Sequence, residues 1–437
     1  MATQTITAPP ETTLSLFSSL PPPNTGGPFA LEADFKADTN QRKVNLIIGA
    51  YRDDDAQPWS LRSVTAVGIF LAISHLLLLQ AKTALNVADR QHEYPPLRGD
   101  DEFLRGAKHL VFGAELVQTY NSRLASIQTV SGTGANSLIA KFLKANTRAS
   151  TVWLPDPTWV NHADIWADHA GGIRVREYPY YNNRERMFDF TRMMACLNCE
   201  ARQGDIVLLH ACAHNPTGLD PSEDQWREIA AVCERKKLFV VFDLAYQGFT
   251  TGDLDADAWA VRYFLSNTPL EFAVCQSFSK NLGLYSERVG ALHFAVSRSG
   301  ISTAASVEAR LIDHHRANVS VAPTFGCRVA VEIFKSPELQ ALWAADLAEM
   351  SGRIRLMRRM LHDELVRLGT PGSWDHIVEQ VGMFSYTGLS AAQVQRLREE
   401  YSVYMMPSGR ASMCGLTTGN VAYTAWAIHN VVTETSG

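Results

Sequence analysis

The sequence predicts an α/β fold in which a mostly parallel β-sheet is covered by helices. From about residue 151 onward, short runs rich in Val, Ile, Leu and Phe alternate with segments of helical periodicity. Such alternation is typical of strand–helix–strand units, whose parallel strands are buried on both faces. We predict four of these strands, at Thr151–Leu154, Ile206–His210, Leu238–Phe242 and Phe272–Cys275.

One helix between these strands can be placed from its own residues. Ser222 and Gln225 have the spacing of a capping box, in which each side chain bonds to the other residue's backbone N–H. Apolar residues then recur at the spacing of one helical face, at Trp226, Ile229, Ala230 and Cys233. We therefore predict a helix that begins after Ser222 and packs this face against the sheet.

The length of 437 residues exceeds that of a single hydrophobic core, so we expect more than one domain. A basic segment from Arg353 to Leu368 has helical periodicity, and mixed short elements follow it. Three consecutive prolines, Pro21 to Pro23, predict an irregular arm at the N-terminus. We predict an arm over residues 1–25, a large domain over 59–345, and a small α/β domain built from 26–58 and 346–437.

The composition argues against several classes of function. The net charge of -5 and the pI near 6.2 do not suit nucleic-acid binding, which needs a basic surface. Seven scattered cysteines favour reduced thiols over a disulfide framework. Cys196 and Cys199 form one CxxC pair, but no second pair with zinc-ligand spacing accompanies it, so no metal site is predicted. Because no Arg or Lys precedes Lys36, the N-terminus lacks the features of a targeting signal, and we expect a cytoplasmic protein.

Polar residues follow each of the four predicted strands, which is where open α/β sheets carry their active sites. These residues are Trp159, Asn215, Asp243 with Tyr246, and Ser277 with Lys280. A lysine buried at a strand end has a lowered pKa, so that its neutral amine can attack an aldehyde. An aspartate at the neighbouring strand end could keep a pyridine nitrogen protonated. Residues 131–134, SGTG, precede a helical segment and allow backbone N–H groups to approach a phosphate.

Several long motifs in this chain resemble those of the aspartate aminotransferase family, whose members are fold-type I enzymes that use pyridoxal 5'-phosphate (PLP). The motifs are HEYPPL (92–97), SGTGA (131–135), DPTWVNH (156–162), HACAHNPTG (210–218), FDLAYQGF (242–249), SFSKNLGLYSERVG (277–290) and MPSGR (406–410). They occur in the family's order, and the resemblance extends from about Phe29 to Val432. It implies PLP as cofactor, and amino transfer between an L-amino acid and a 2-oxo acid by a ping-pong mechanism.

The resemblance also implies a role for each matching residue around the cofactor. Lys280 would bind PLP as a Schiff base and move the substrate proton, Asp243 would pair with the pyridine nitrogen, and Tyr246 would complete the catalytic set. His162 would orient Asp243 from behind. The cofactor-binding residues would be Ser131, Gly132, Thr133, Trp159, Asn215, Asp243, Tyr246, Ser277, Lys280 and Arg288, with Tyr94 from the other subunit of a homodimer that shares its active sites.

The substrate-binding residues follow from the same resemblance. They would be Gly49, Trp159, Asn215, Arg410 and, from the other subunit, Arg316. Arg410 would hold the substrate α-carboxylate with two parallel hydrogen bonds, a geometry that suits arginine better than lysine. Arg316 would bind the distal carboxylate of aspartate or glutamate.

The segment around Arg316 departs from the family pattern. His314 and His315 stand where the family has apolar residues, and Val319 and Val321 replace a tryptophan and an asparagine. An aspartate or glutamate donor is the leading prediction. An aminotransferase for aromatic or other non-standard amino acids is the first alternative, and a PLP-dependent racemase or lyase on the same scaffold is the second.

The stretch Val67–Gln80, VGIFLAISHLLLLQ, interrupts the resemblance. It is too short for a membrane span, and no membrane association is predicted. Valine codons begin with GT and one glutamine codon is CAG, which are the splice-donor and splice-acceptor signals. We therefore interpret this stretch as a retained intron. The alternative is an authentic apolar insertion that packs on a dimer partner or a membrane surface.

Overall fold

A computed structural model of the protein describes residues 27–67, 93–297 and 301–434. The predicted N-terminal arm over residues 1–25 lies outside the described residues. So does the stretch interpreted as a retained intron, except for its first residue. That residue, Val67, is buried and belongs to a helical segment that includes residues 62–67.

The described residues form thirteen β-strands. They are β1 (Val44–Asn45), β2 (Leu124–Val130), β3 (Thr151–Asp156), β4 (Arg174–Pro179), β5 (Tyr181–Asn182), β6 (Met187–Phe188), β7 (Ile206–His210), β8 (Phe239–Leu244), β9 (Phe272–Ser277), β10 (Val289–Ala295), β11 (Phe384–Tyr386), β12 (Val403–Tyr404) and β13 (Arg410–Ser412). Seven of them build the central sheet in the order β2-β10-β9-β8-β7-β3-β4. β10 runs antiparallel to the other six strands of this sheet, which are parallel to one another. The predicted fold class is therefore confirmed.

Helices cover both faces of the sheet. The α-helices that lie wholly within the described residues are α1 (Pro28–Ala37), α2 (Asp101–Phe112), α3 (Ala114–Tyr120), α4 (Ser131–Asn146), α5 (Asn161–His169), α6 (Phe190–Glu200), α7 (Glu223–Lys236), α8 (Trp259–Asn267), α9 (Ile301–Val319), α10 (Phe325–Lys335), α11 (Pro337–Arg367), α12 (His376–Glu379), α13 (Ala391–Tyr401) and α14 (Val421–Glu434). Within the described ranges, no helix is both long and apolar enough to cross a membrane.

The four predicted strands are all present, although the boundaries of three of them shift. β7 has the predicted bounds, β3 and β9 extend two residues further, and β8 begins one residue later and ends at Leu244. The extensions carry Asp243 and Ser277 as the last or next-to-last residues of their strands. Polar side chains therefore lie within the sheet's carboxyl edge and not just beyond it.

The predicted capping box is confirmed at the start of α7. The Ser222 side chain accepts a hydrogen bond from Gln225 N, and the Gln225 side chain accepts one from Ser222 N. The expected apolar face of this helix is buried. By contrast, the predicted start of the long basic helix at Arg353 was wrong. α11 begins at Pro337, because Ser336 caps it and buried residues such as Trp343 and Leu347 extend its apolar stripe toward the N-terminus.

Two hydrophobic cores lie on the two faces of the sheet. Consecutive residues of β8, Val240 and Val241, belong to different cores, since side chains along a strand alternate in direction. The core that contains Val241 is closed by α4, α5 and α9, and the other core receives α2, α7, α8 and α11. The sheet is thus buried on both faces, as its continuous apolar strands require.

The segments assigned to the small domain also pair with one another. β1 lies parallel to β12, with Val44 opposite Val403, and β11 lies antiparallel to β13. The pairing of β1 with β12 joins the N-terminal part of the chain to its C-terminal part, and the pairing of β11 with β13 lies within the C-terminal part. α11 crosses the proposed boundary between residues 345 and 346, so the exact domain division remains a prediction.

Candidate active site

A cavity of about 300 Å³ opens at the carboxyl edge of the central sheet. Twelve of the fourteen site residues predicted from the sequence line it. These are Gly49, Ser131, Gly132, Thr133, Trp159, Asn215, Asp243, Tyr246, Ser277, Lys280, Arg288 and Arg410. The two that do not line it are Tyr94 and Arg316. The fold therefore gathers into one cavity residues that are far apart in sequence.

Lys280 follows β9 and extends its amine into this cavity. Enclosure by the protein lowers the pKa of Lys280 to about 8, and the positive charges of Arg288 and Arg410 act in the same direction. The nearby Asp243 carboxylate opposes the shift but does not cancel it. Lys280 Nζ lies 4.9 Å from the centre of the Tyr246 ring. A large fraction of this amine is therefore neutral, and nucleophilic, near pH 8.

Asp243 is a buried carboxylate that stays ionised. Burial alone would raise the pKa of Asp243, but the hydrogen bond from His162 and the nearby positive groups bring it below its ordinary value. His162 Nε2 lies 3.1 Å from Asp243 Oδ2. Because an ionised carboxylate can only accept, Nε2 carries the proton. Thr158 Oγ1 lies 2.8 Å from the other ring nitrogen and fixes the ring orientation.

A second buried histidine lies beside this pair. One ligand atom each of His162, His210 and Asp243 lies within 4.8 Å of the others, a spacing that would also suit a metal ion. The hydrogen bond between His162 and Asp243 already accounts for much of this proximity. Burial lowers the pKa of His210 to about 3, so its ring is neutral. Neither of its ring nitrogens has a hydrogen-bond partner among the described residues.

The start of α4 forms a cradle with the ends of β9 and β10. Ser131, the first helical residue, has a positive φ of 64°, and its hydroxyl lies 3.2 Å from Ser279 Oγ and 3.4 Å from Ser277 Oγ. A Cβ at position 132 would lie 2.9 Å from the Ser277 Cβ, so glycine keeps the cradle open. Arg288 reaches the same cluster, 3.4 Å from Ser279 Oγ. Free helix N–H groups, hydroxyls and a guanidinium together suit a phosphate.

Asn215 and Tyr246 also line the cavity. Asn215 Nδ2 donates to the Tyr246 hydroxyl at 3.4 Å, while Asn215 Oδ1 is buried without a partner among the described residues. Burial raises the pKa of Tyr246, so this hydroxyl is protonated at neutral pH. The Asn215–Pro216 and Asp156–Pro157 peptide bonds are both cis.

Arg410 closes the cavity from the C-terminal part of the chain. Its Nη2 donates to the Ile47 carbonyl at 2.9 Å, and its guanidinium lies 4.4 Å from the centre of the Phe384 ring. Burial lowers the pKa of Arg410 without neutralising it, and Nε has no partner among the described residues. Gly49 packs on the same ring, where any Cβ would overlap Phe384 Cζ.

Tyr94 and Arg316 lie on the surface instead. Tyr94 is 79% exposed, and Arg316 is exposed near the end of α9. Three further apolar residues near them in sequence, Leu97, Val319 and Phe325, are also exposed. Neither Tyr94 nor Arg316 reaches the cavity of its own chain, so their predicted roles require a second copy of the protein.

Several residues that line the cavity were not predicted as site residues, among them Ser279 and Phe384. Ser279 bonds to Ser131 and Arg288 within the cradle, and its position between Ser277 and Lys280 was the signal that could have revealed it. Phe384 supports Arg410, but no local pattern indicates this, since the contact joins two segments of the C-terminal region.

Comparisons with known proteins agree with this geometry. The chain matches the family model described as aminotransferase class I and II over residues 41–428. It is 45% identical over 406 residues to an L-tyrosine:2-oxoglutarate aminotransferase of Aspergillus ustus, which covers 92% of this chain and 75% of that protein.

Solved structures show the same relationship. Aspartate aminotransferase from the Saccharomyces cerevisiae cytoplasm superposes with a TM-score of 0.88 at 40% identity, covering 96% of this chain and 99% of that one. An aromatic-amino-acid aminotransferase from Burkholderia pseudomallei, covalently bound to pyridoxal phosphate, gives a TM-score of 0.85 at 36% identity, covering 96% and 100%. Fold and site thus define an aminotransferase of class I and II. Within that class, the chain belongs to the aspartate aminotransferase family, as its sequence motifs indicated.

The lowered pKa of Lys280 predicts its reactivity. Once any bound aldehyde has been removed, acylation of Lys280 by acetic anhydride should rise with pH and reach half its maximum near pH 8, because only the neutral amine reacts. Ordinary lysines, with a pKa of about 10.4, should need a higher pH. Peptide mass spectrometry after brief labelling measures both classes in one digest.

Asp243→Asn supplies the control for this measurement. Its carboxylate raises the pKa of Lys280, so the variant should shift the labelling midpoint to lower pH. A Lys280 profile that parallels those of the surface lysines would contradict the assigned environment.

Proposed function

We propose that this aminotransferase uses PLP, bound covalently through Lys280. The observation that carries the proposal is the meeting in one cavity of a partly neutral lysine, an ionised buried aspartate and an anion cradle. The residues fit the group. The cradle at Ser131 suits its phosphate, Asp243 suits a protonated ring nitrogen, and the Asn215 amide and the Tyr246 hydroxyl offer donors for its phenolic oxygen. When bound, PLP supplies an electron sink that stabilises negative charge at the substrate Cα.

Each residue of the cavity then has a defined task. With PLP bound, Asp243 would keep its charge at the ring nitrogen, held in place by the hydrogen bond from His162. Asn215 and Tyr246 would hydrogen-bond the phenolic oxygen of the cofactor, and Trp159 would contact its ring. The free Lys280 amine would move the proton from the substrate Cα. The amine can accept this proton because enclosure has lowered its pKa.

Arg410 binds the α-carboxylate of the substrate. One edge of its guanidinium is fixed by the Ile47 carbonyl, and the Phe384 ring supports its face, so the group is held ready before substrate arrives. Both half-reactions use this site, first for an L-amino acid and then for a 2-oxo acid. The family membership favours amino transfer over racemisation or elimination on the same scaffold.

Two donor classes are consistent with the cavity. Aspartate or glutamate is the leading candidate, with Arg316 of a second copy binding the distal carboxylate, and the yeast aspartate aminotransferase supports it. Aromatic amino acids are the second candidate. They are favoured by the apolar residues Phe29, Ile48 and Met406 that line the cavity, and by the L-tyrosine:2-oxoglutarate aminotransferase at 45% identity.

A panel of amino donors with 2-oxoglutarate, run on the wild type and Arg316→Ala, separates the two classes. If Arg316 binds a distal carboxylate, the variant should lose about 2–5 kcal/mol of transition-state binding for aspartate, and activity with phenylalanine should change little. Arg310→Ala is a matched control, since Arg310 is exposed on the same helix and pairs with Asp313. Transfer from tyrosine or phenylalanine alone would favour the second class. Racemised or eliminated product without transfer would contradict both.

We also propose a homodimer with shared active sites. The support is that Tyr94 and Arg316 are exposed and do not reach the cavity of their own chain. Mixing inactive Lys280→Ala with impaired Arg316→Ala under subunit exchange should restore part of the activity, because one of the two mixed sites is intact. Absence of recovery after exchange has been verified by mass spectrometry would show that each chain is self-sufficient.

A further inference from the structure

A buried arginine without an acidic partner lies beneath the active site. Arg358 belongs to α11 and is 2% exposed, and among the described residues it forms no ion pair. Its guanidinium instead donates to backbone carbonyls of Ile377, Val381, Gly382 and Phe384. Burial lowers the pKa of Arg358 to about 9, so it still carries its charge at neutral pH. Burying a charge costs free energy, and here only carbonyl groups compensate for the lost water. Such an arrangement points to a role for the charge at this position.

The carbonyl groups all belong to residues 377–384, a segment that runs from α12 through a turn to the first residue of β11 and wraps around the guanidinium. We call this segment the 377–384 loop. Nη1 bonds to the Ile377 carbonyl at 2.9 Å, and Nη2 bonds to that of Gly382 at 2.9 Å. The two ends of the planar fork therefore fix both ends of the loop. The loop continues into β11, which pairs with β13, the strand that begins at Arg410.

Phe384, the last residue held by Arg358, contacts the substrate-binding groups directly. Its ring lies 4.4 Å below the Arg410 guanidinium and packs edge-on against Tyr246, with ring centres 6.1 Å apart. It also fills the space where position 49 would carry a Cβ. A displaced Phe384 ring would therefore disturb Arg410 and the Gly49 backbone together.

The same loop supports the turn that carries Asn215. Val381 N donates to the Gly218 carbonyl at 2.6 Å. A Cβ at Gly218 would lie 2.7 Å from the Val381 carbonyl oxygen, and a Cβ at Gly382 would lie 2.6 Å from the Ala213 Cβ. The loop is thus closely packed between Arg358 and the turn that carries Asn215.

We propose that Arg358 is a positioning residue for the substrate carboxylate, which it controls by fixing the 377–384 loop and hence the Phe384 ring beneath Arg410. This inference rests on the proposed function, since it takes Arg410 as the group that binds the carboxylate. Arginine is required because only a planar fork spans both ends of the loop. A lysine ammonium would keep the charge but concentrate its donors at one point.

Arg358→Lys tests the inference in the PLP-loaded protein. Succinate and 3-phenylpropionate serve as carboxylate probes, with binding followed by visible absorbance, and KM and kcat are measured for aspartate and phenylalanine. We expect the Kd of whichever probe the wild type binds, and the KM of the active donor, to rise about tenfold or more, with kcat changed far less. Phenethylamine, which lacks a carboxylate, should react with wild-type kinetics.

Two further variants make the result decisive. Arg359→Lys, at the exposed neighbouring position on α11, should leave every value unchanged. Phe384→Leu should reproduce the rise in Kd by removing the ring that Arg358 positions, and it decides the matter if Arg358→Lys does not fold.

The possible outcomes are separable. A lower melting temperature with wild-type Kd in the folded variants would show that Arg358 is structural only and overturn the inference. Equal losses with phenethylamine and with the carboxylates would overturn it as well. If the wild type itself binds no carboxylate and transfers no amino group, the proposed function fails instead.

Discussion

An ionised carboxylate removed from water costs several kcal/mol unless hydrogen bonds and opposite charges surround it, and Asp243 is the carboxylate around which this site is arranged. The end of β8 places it in the dry interior, and His162 donates to it from α5, the helix that follows β3. Lys280 lines the same cavity, and the charge of each group shifts the pKa of the other. The sheet therefore keeps the negative charge of Asp243 in place for a bound pyridine ring. Burial prevents water from screening this charge.

The second constraint is the junction between the sheet and the C-terminal segments. The sheet supplies the lysine, the aspartate and the anion cradle, whereas Arg410 arrives on β13 and Gly49 on the segment after β1. The cofactor phosphate and the substrate carboxylate, which are both anionic, would thus be bound by different regions of the chain. Phe384 lies between these regions and contacts both Tyr246 and Arg410. Fixing this ring through Arg358 would fix the distance between the two halves of the site.

The sequence was most informative where a functional residue directly follows an apolar strand along the chain. The strand ends carry Asn215, Asp243 and Lys280 directly after apolar runs, so their meeting at one edge follows from parallel topology alone. Contacts such as Arg358 with Phe384 could not be predicted, because a buried arginine bonded to carbonyls has no sequence pattern. Tyr94 and Arg316 were identified by resemblance, but a single chain cannot bring them to the cavity. The start of α11 was misplaced because its first half lacks the basic residues that marked the second.

The central claim is that Lys280, and no other lysine, carries the cofactor. Reduction of the PLP-loaded protein with sodium borohydride makes the attachment permanent, and mass spectrometry of a complete digest locates the added pyridoxyl group. We expect the modification on the peptide that contains Lys280, near one group per chain, and its loss in Lys280→Ala. Stoichiometric modification of another lysine, or none at all with saturating PLP, would contradict the account.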